Sequence, residues 1–488
     1  MSQFRDALKQ HFDENEINIS SLSRQCGIDR TTIQHMVGGR KDYKLPSYDA
    51  LKAVLKCLRM TPGERKYTEE LYTIEKIGVH NYVGRQYVKG IIEQIAALHN
   101  PDVLRHSVIV SGSVNLDTAD CVFTGANAVN SVLQAVFAEE IAVNSNPHIC
   151  LNVPFSYAYL KQTLLQSYWE QDGRLEIKHL VILSKSPKAN QNKNINLETI
   201  SDILPFAFCL GNGYRAKYYY SSIEAENELL LTMPYYLLTA KRLLLMSGDF
   251  TSALLITDVR MIDEYRNAFE RSYNQCQNLI EHLDNPLEIF DAYSDCIIDD
   301  CPAYSAQGYP CFFQYLSEDI IYRHARMESP NAGETVAGLV TYIANFSRMN
   351  ITDYFSMNGL EAFARSGRLE VFSEMEANPF TVEDRITILE SACSEIEGGG
   401  KTRLVDSSKI SLSNWAIVST INNNSLQFYH QNQGVYHYCI IKEASIVNAF
   451  VDFFESLSQS DMVFSAEETL SVIRGYIDEL RSRGTDIS

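Results

Sequence analysis

The texture of this sequence changes once, near residue 103, and that change limits the fold more than any other feature. Before it, apolar residues recur at helical spacing in short segments. After it, aliphatic runs of strand length alternate with amphipathic helices. In the first stretch Phe4, Leu8 and Phe12 share one face, Leu22 and Cys26 a second, and Ile33, Met36 and Val37 a third. Pro46-Ser47 opens a fourth helix carrying Leu51, Val54, Leu55 and Leu58. Thr61-Pro62-Gly63-Glu64 starts a fifth: Thr61 caps, Pro62 suits the first helical position, and Glu64 lies three residues after the cap. That helix is expected to stop near Gly78. A sixth follows with Tyr87, Ile91, Ile95 and Leu98 on one stripe, ended by Asn100-Pro101.

Beyond residue 103 the pattern predicts strands over 106–112, 148–154 and 175–185, and helices over 155–171 and 197–210. The runs AKYYYSS, LLLTM and ALLITD read as further strands. A long helix from Val259 to Leu283 places Ile262, Tyr265, Phe269, Cys276 and Ile280 inward. Residues 285–400 read as mainly helical, 403–441 as strands, and two helices close the chain. The expected class is a multidomain α+β or α/β chain. Its parts would be an N-terminal all-α domain over 1–77, a helical connector over 78–100, and α/β modules over 101–284 and 285–488. A weak internal repeat reads either as two related modules or as strand–cap–helix units recurring by chance, as they do in α/β proteins. Leu254-Leu255-Ile256, Asp258, Met261, Tyr265 and Phe269 match Cys439-Ile440-Ile441, Glu443, Ile446, Phe450 and Phe454 in spacing. Each set reads as a strand, an acidic cap and an amphipathic helix.

Charge divides the chain as texture does. Residues 1–100 hold 15 basic and 12 acidic side chains, the rest 27 and 49, and the chain carries a formal net charge of −19. Such a chain as a whole repels nucleic acid, so any DNA contact belongs to a small basic surface near the N-terminus. The N-terminus is charged within five residues and lacks the apolar core of a signal peptide, and no apolar run reaches membrane-spanning length. The 11 cysteines are odd in number and scattered singly, as in a reduced, cytoplasmic protein.

The most specific segment is Asn18 to Lys41. Leu22 to Cys26 makes a short helix, Gly27 can take the positive φ that ends it, and Asp29 caps the next. That second helix turns Arg30, Thr31, Thr32, Gln34 and His35 outward and Ile33 and Met36 inward. Residues 22–66 hold 10 basic and 4 acidic side chains. The segment resembles the helix-turn-helix of the Cro/XRE family of bacterial DNA-binding regulators. A small residue, Ser23, sits four before the turn glycine, and a buried aliphatic, Ile33, six after it. Gly39-Arg40-Lys41-Asp42-Tyr43-Lys44-Leu45-Pro46-Ser47 stands where that family has a shorter Gly-Arg/Lys-Pro-Ser stretch, and LRMTPGERKYTEELY looks like the end of the same domain type. The resemblance covers about residues 1–75. It implies a lambda-repressor-like domain that reads double-stranded DNA, with Arg30, Thr31, Thr32, Gln34, His35, Arg40, Lys41 and Lys44 as the DNA-facing residues. Arg30 suits guanine and Gln34 adenine.

Other motifs carry less. Glu397-Gly398-Gly399-Gly400-Lys401-Thr402 ends like a phosphate loop, but Glu395 stands where the first glycine should, and the segment follows a helix. Gly211-Asn212-Gly213 reads as a turn. Cys296, Cys301 and Cys311, near Asp299 and Asp300, form one loose pair rather than four convergent ligands, so no metal or cofactor is expected. The strand layout around 106–256 is similar to phospholipase-D-like modules. No histidine has lysine two positions later, as those enzymes need, and no Gly-x-Ser-x-Gly or His-Glu-x-x-His is present. Aromatic runs such as Tyr218-Tyr219-Tyr220 fill cores or line pockets.

The expected function is a non-enzymatic transcription regulator binding a palindromic operator as a homodimer, with the Tyr87, Ile91, Ile95 and Leu98 stripe either the dimer contact or packed on its own domain. Roughly 390 residues beyond the reader exceed what dimerisation needs. They are expected to sense a small-molecule or peptide effector. The alternatives are an enzyme fused to an autoregulatory DNA-binding domain, and a protein-interaction scaffold.

Overall fold

The computed structural model describes residues 2–38, 45–97, 116, 119–170, 174–185, 194–221, 233–285, 288–289, 291–292, 301–328, 332–346, 350–370, 377–412, 415–421, 424–432 and 435–485. The chain is α+β and divides into two compact units, residues 1–86 and 87–488. None of its described helices is long and apolar enough to cross a membrane.

The first unit is helical: α1 Gln3–Glu14, α2 Ile19–Cys26, α3 Arg30–Gly38, α4 Tyr48–Cys57 and α5 Pro62–Ile77. Local chemistry sets each start. The hydroxyls of Ser47 and Thr61 accept from the N–H groups of Ala50 and Glu64, and Glu64 accepts in return from the Thr61 N–H at 2.7 Å, the reciprocal cap its spacing predicts. Phe4, Leu8, Ile33, Met36, Leu51, Val54 and Leu55 form the core. Tyr72 on α5 packs edge-on against Phe4 and donates its hydroxyl to the Pro46 carbonyl, fixing the entry to α4. Helix α6, Val79–Ala97, occupies the expected connector and supplies Val88, Ile91, Ile92 and Ile95 to the core of the second unit. Ile91 and Ile95 are therefore packed within their own unit, the second of the two roles open to the stripe, and are not free to form a dimer face. Leu98 lies outside the described residues.

The second unit contains two sheets built to one plan. The first comes from β1 Cys121–Thr124, α7 Ala126–Val143, β2 His148–Leu151, α8 Ala158–Glu170, β3 Glu176–Leu183, α9 Ile195–Leu210, β4 Tyr214–Tyr220, β5 Tyr235–Leu238, β6 Leu243–Met246, β7 Ser252–Ile256, α10 Val259–Gln275 and β8 Gln277–Asn278. Its order is β1-β7-β6-β5-β2-β3-β4-β8. The second comes from β9 Glu281–Leu283, β10 Pro302–Gln307, α11 Glu318–His324, α12 Ala332–Phe346, β11 Asn350–Ser356, α13 Met357–Ser366, α14 Val382–Glu397, β12 Arg403–Val405, β13 Ala416–Thr420, β14 Ser425–Asn432, β15 Val435–Ile441, α15 Ala444–Leu457 and α16 Ala466–Thr485. Its order is β12-β11-β10-β13-β14-β15-β9.

Read from opposite ends, the two orders coincide. In each sheet three parallel strands (β2, β3, β4 and β10, β11, β12) are joined by helical crossovers. An antiparallel meander (β5, β6, β7 and β13, β14, β15) is added beside the first of them. The strand that precedes each module, β1 or β9, closes the far edge against the last meander strand. Even the other edge matches, where β8 pairs with β4 and Val463 bridges to Val405 of β12. The repeat seen in the sequence falls on β7–α10 and β15–α15. Asp258 accepts from the N–H groups of Arg260 and Met261, and Glu443 from that of Ile446 at 2.9 Å.

The two sheets share one core. Residues of α6, α7 and α9 and of both sheets join Ile446, Val447, Phe450 and Phe454 of α15 in a single apolar cluster. Polar ties reinforce it. The Asn196 amide at the start of α9 bonds both backbone groups of Ser184 and the Ser445 hydroxyl, and the Tyr220 hydroxyl donates to Glu443 at 2.7 Å.

Two expectations change, and a third gains detail. The helix expected to reach Leu283 ends at Gln275. Gln277 and Asn278 instead pair with β4, and the Leu279 N–H donates to the Ala216 carbonyl at 2.9 Å. Glu281–Leu283 pairs with β15, so the second sheet begins before residue 284. The region 285–400 is mainly helical among its described residues, as expected, but it also carries β10 and β11, which the periodicity did not mark. The strand expected over 106–112 and most of LLLTM lie outside the described residues.

Strand β11 buries Asp353, whose Oδ1 has no hydrogen-bond partner, and burial pushes its carboxyl up to about 7. The folded state thus holds a proton that the unfolded chain releases near its ordinary value. This acid is expected to lower stability as pH rises from about 4 to 7, with no further loss above that. Asp353→Asn removes the charge, so thermal unfolding at pH 8 should move to higher temperature than in the parent, with little difference at pH 4.5.

Candidate nucleic-acid interface

The turn between α2 and α3 is built from three residues. Asn18 caps α2 through the Ser21 N–H at 3.1 Å, so that helix starts three residues earlier than its apolar pattern marks. Gly27 ends it with φ +71, a region that costs a residue with a Cβ about 1–2 kcal/mol. The Asp29 carboxylate then accepts from the Thr31 and Thr32 N–H groups at 2.9 and 3.2 Å and starts α3. Ser23 does more than fit a tight space: its hydroxyl donates to the Ile28 carbonyl at 2.7 Å, tying α2 across the turn.

Helix α3 divides cleanly. Ile33, Met36 and Val37 are buried against α1 and α4 side chains, whereas Arg30, Thr31 and Gln34 are exposed. Thr32 and His35 are half-buried at the margin. Arg30 and Gln34 lie one turn apart on one face, as i and i+4 must. Five of the eight residues singled out as DNA-facing are therefore carried by one helix. Arg40, Lys41 and Lys44 lie outside the described residues. Cys301 is buried and Cys311 half-buried, while Cys296, Asp299 and Asp300 also lie outside them. Gly398–Gly400 follows α14 as a plain loop with Gly399 at φ +92.

No protein-family model and no curated protein matches the chain. Among solved structures, the chain is similar to TrmBL2, described as an archaeal chromatin protein with a novel mode of DNA binding. The match has 12% identity over 56% of this chain and 99% of that one, and a TM-score of 0.24. A superposition that loose places neither the fold nor the function of this chain.

The cap and the turn are separable from the exposed face. Asp29→Ala should cost about 1 kcal/mol through the lost cap. Gly27→Ala should cost about 1–2 kcal/mol through the positive φ. Both should speed amide hydrogen exchange in α2 and α3 of the full chain while leaving β2 and β3 unchanged.

Proposed function

We propose that this protein is a sequence-specific DNA-binding transcription regulator whose first unit is a Cro/XRE-type helix-turn-helix. The observation that carries this reading is α3 itself. A capped helix is anchored by one apolar stripe and presents Arg30, Thr31 and Gln34 outward, in a locally basic segment of an acidic chain. Arg30 would bond guanine O6 and N7, and Gln34 adenine N6 and N7. Thr31 and Thr32 would contact phosphate or a thymine methyl, with His35 at the edge. Arg40, Lys41 and Lys44 would contact phosphates.

One such helix reads only a few base pairs, so the protein acts as a homodimer on a two-fold site. The second unit senses a small-molecule or peptide effector and has no catalytic activity of its own. Its best-suited surface is the half-buried stack of Tyr157, Phe250 and Tyr235. The Tyr157 and Phe250 rings are parallel at 4.1 Å, and Phe250 holds φ +57, unusual for a bulky residue.

The test is an anisotropy titration, at two salt concentrations, on a duplex selected from random sequence by the full protein. Arg30→Ala and Gln34→Ala should each cost about 1–3 kcal/mol of discrimination against altered bases. Lys41→Ala and Lys44→Ala should weaken binding to all sequences and flatten its salt dependence. Parental binding by the Arg30 and Gln34 variants would remove α3 from the interface. Failure to select any site would favour a protein partner.

A further inference from the structure

Among the described residues, one group brings histidine, cysteine and carboxylate atoms together. His148 and Cys150 alternate on β2 and share the face of the first sheet that α10 covers, where Cys150 packs with Ile262, Phe269 and Tyr273. Glu270 descends from α10 onto the same spot. The ligand atoms of His148, Cys150 and Glu270 all lie within 4.8 Å of one another, and His148 Nε2 is 3.1 Å from Cys150 Sγ.

We infer that His148, Cys150 and Glu270 form a binding site for a divalent transition metal, of which Zn2+ is the best fit. Zinc–sulfur and zinc–nitrogen bonds of about 2.3 and 2.0 Å at a tetrahedral angle set the two ligand atoms roughly 3.5 Å apart. The nitrogen and sulfur already stand near that separation. Thiolate and imidazole together select zinc over the hard cations, and three protein ligands leave a fourth position for water.

The surroundings fit a ligating histidine. The other ring nitrogen, Nδ1, faces the Glu176 carboxylate at 3.9 Å, longer than a hydrogen bond but close enough for a small side-chain shift to give the outer-shell bond that orients metal-bound imidazoles. Lys178 Nζ holds Glu270 Oε1 at 2.6 Å, which steers the carboxylate and leaves its second oxygen for the ion. Zn2+, one thiolate and one carboxylate sum to zero charge, so loading, with loss of the Cys150 proton, neutralises the single negative charge that Glu270 brings to the empty site. Binding forms the metal–sulfur bond with release of the Cys150 proton to solvent.

The probe is Co2+ titrated into the metal-free full-length protein. A thiolate-to-cobalt absorption band in the near ultraviolet should grow to one equivalent. Cys150→Ser should abolish it, and Cys121→Ser, at an exposed thiol, should leave it unchanged. Glu270→Ala, at a half-buried helix position, and Glu176→Gln should keep the band but weaken affinity about tenfold or more. If Cys150→Ser does not fold by circular dichroism, the Glu270 and Glu176 variants decide. Absence of a thiolate band at one equivalent, its survival in folded Cys150→Ser, or unchanged affinity in both glutamate variants overturns the site.

Discussion

Burial of α15 between α9 and the second sheet is the interaction on which the second unit depends. Ile446, Val447, Phe450, Val451, Phe453, Phe454 and Leu457 are all buried in the core that also holds Leu204 of α9 and Ile417 and Phe428 of the second sheet. Each such side chain contributes about 1.5–3 kcal/mol on burial, and a whole domain has only about 5–15 kcal/mol of net stability. Neither sheet can keep its present surface without the other. The Glu443 cap, bonded at once to the α15 backbone and to Tyr220 of the first sheet, shows the same dependence in polar groups.

The repeated plan is used asymmetrically. Helix α15 is covered on two sides, while its counterpart α10 lies on the outer face of the first sheet with Val259 and Met261 exposed. An outer helix must be amphipathic, and the polar side of α10 brings Glu270 and Arg266 to the sheet margin. The face of β2 beneath it can then carry His148 and Cys150 beside charged groups, which the interior of the shared core could not accept without partners. The same topology thus supplies one buried strut and one polar seam.

Much of this was legible in the sequence, and the failures have physical causes. Helices α1 to α6 follow a 3.6-residue apolar period, and the Asp29 and Thr61–Glu64 caps mark two of their starts. The spacing of Asp258 and Glu443 within matched apolar sets marked the repeat. Strands β10 and β11 were missed because the face they bury carries Ser305 and Asp353, polar residues that break any apolar pattern. The overlong helix came from Cys276 and Ile280, which keep the helical period while the chain between them pairs with the free edge of β4. Two residues apart, His148 and Cys150 are readable as one face of a strand. Glu270, on another element far along the chain, becomes their neighbour only through the packing of α10.

The first unit places its chemistry on the shortest of these devices: a positive-φ glycine, an aspartate cap and one apolar stripe hold α3 outward. Amide hydrogen exchange of the full chain with and without a selected DNA duplex tests the proposed DNA-reading role of α3 most directly. If α3 reads DNA, exchange slows over residues 18–38, most strongly from Asp29 to His35, with the sheets of the second unit unchanged. Protection confined to the second unit, with α3 exchanging as in the free protein, would contradict that role.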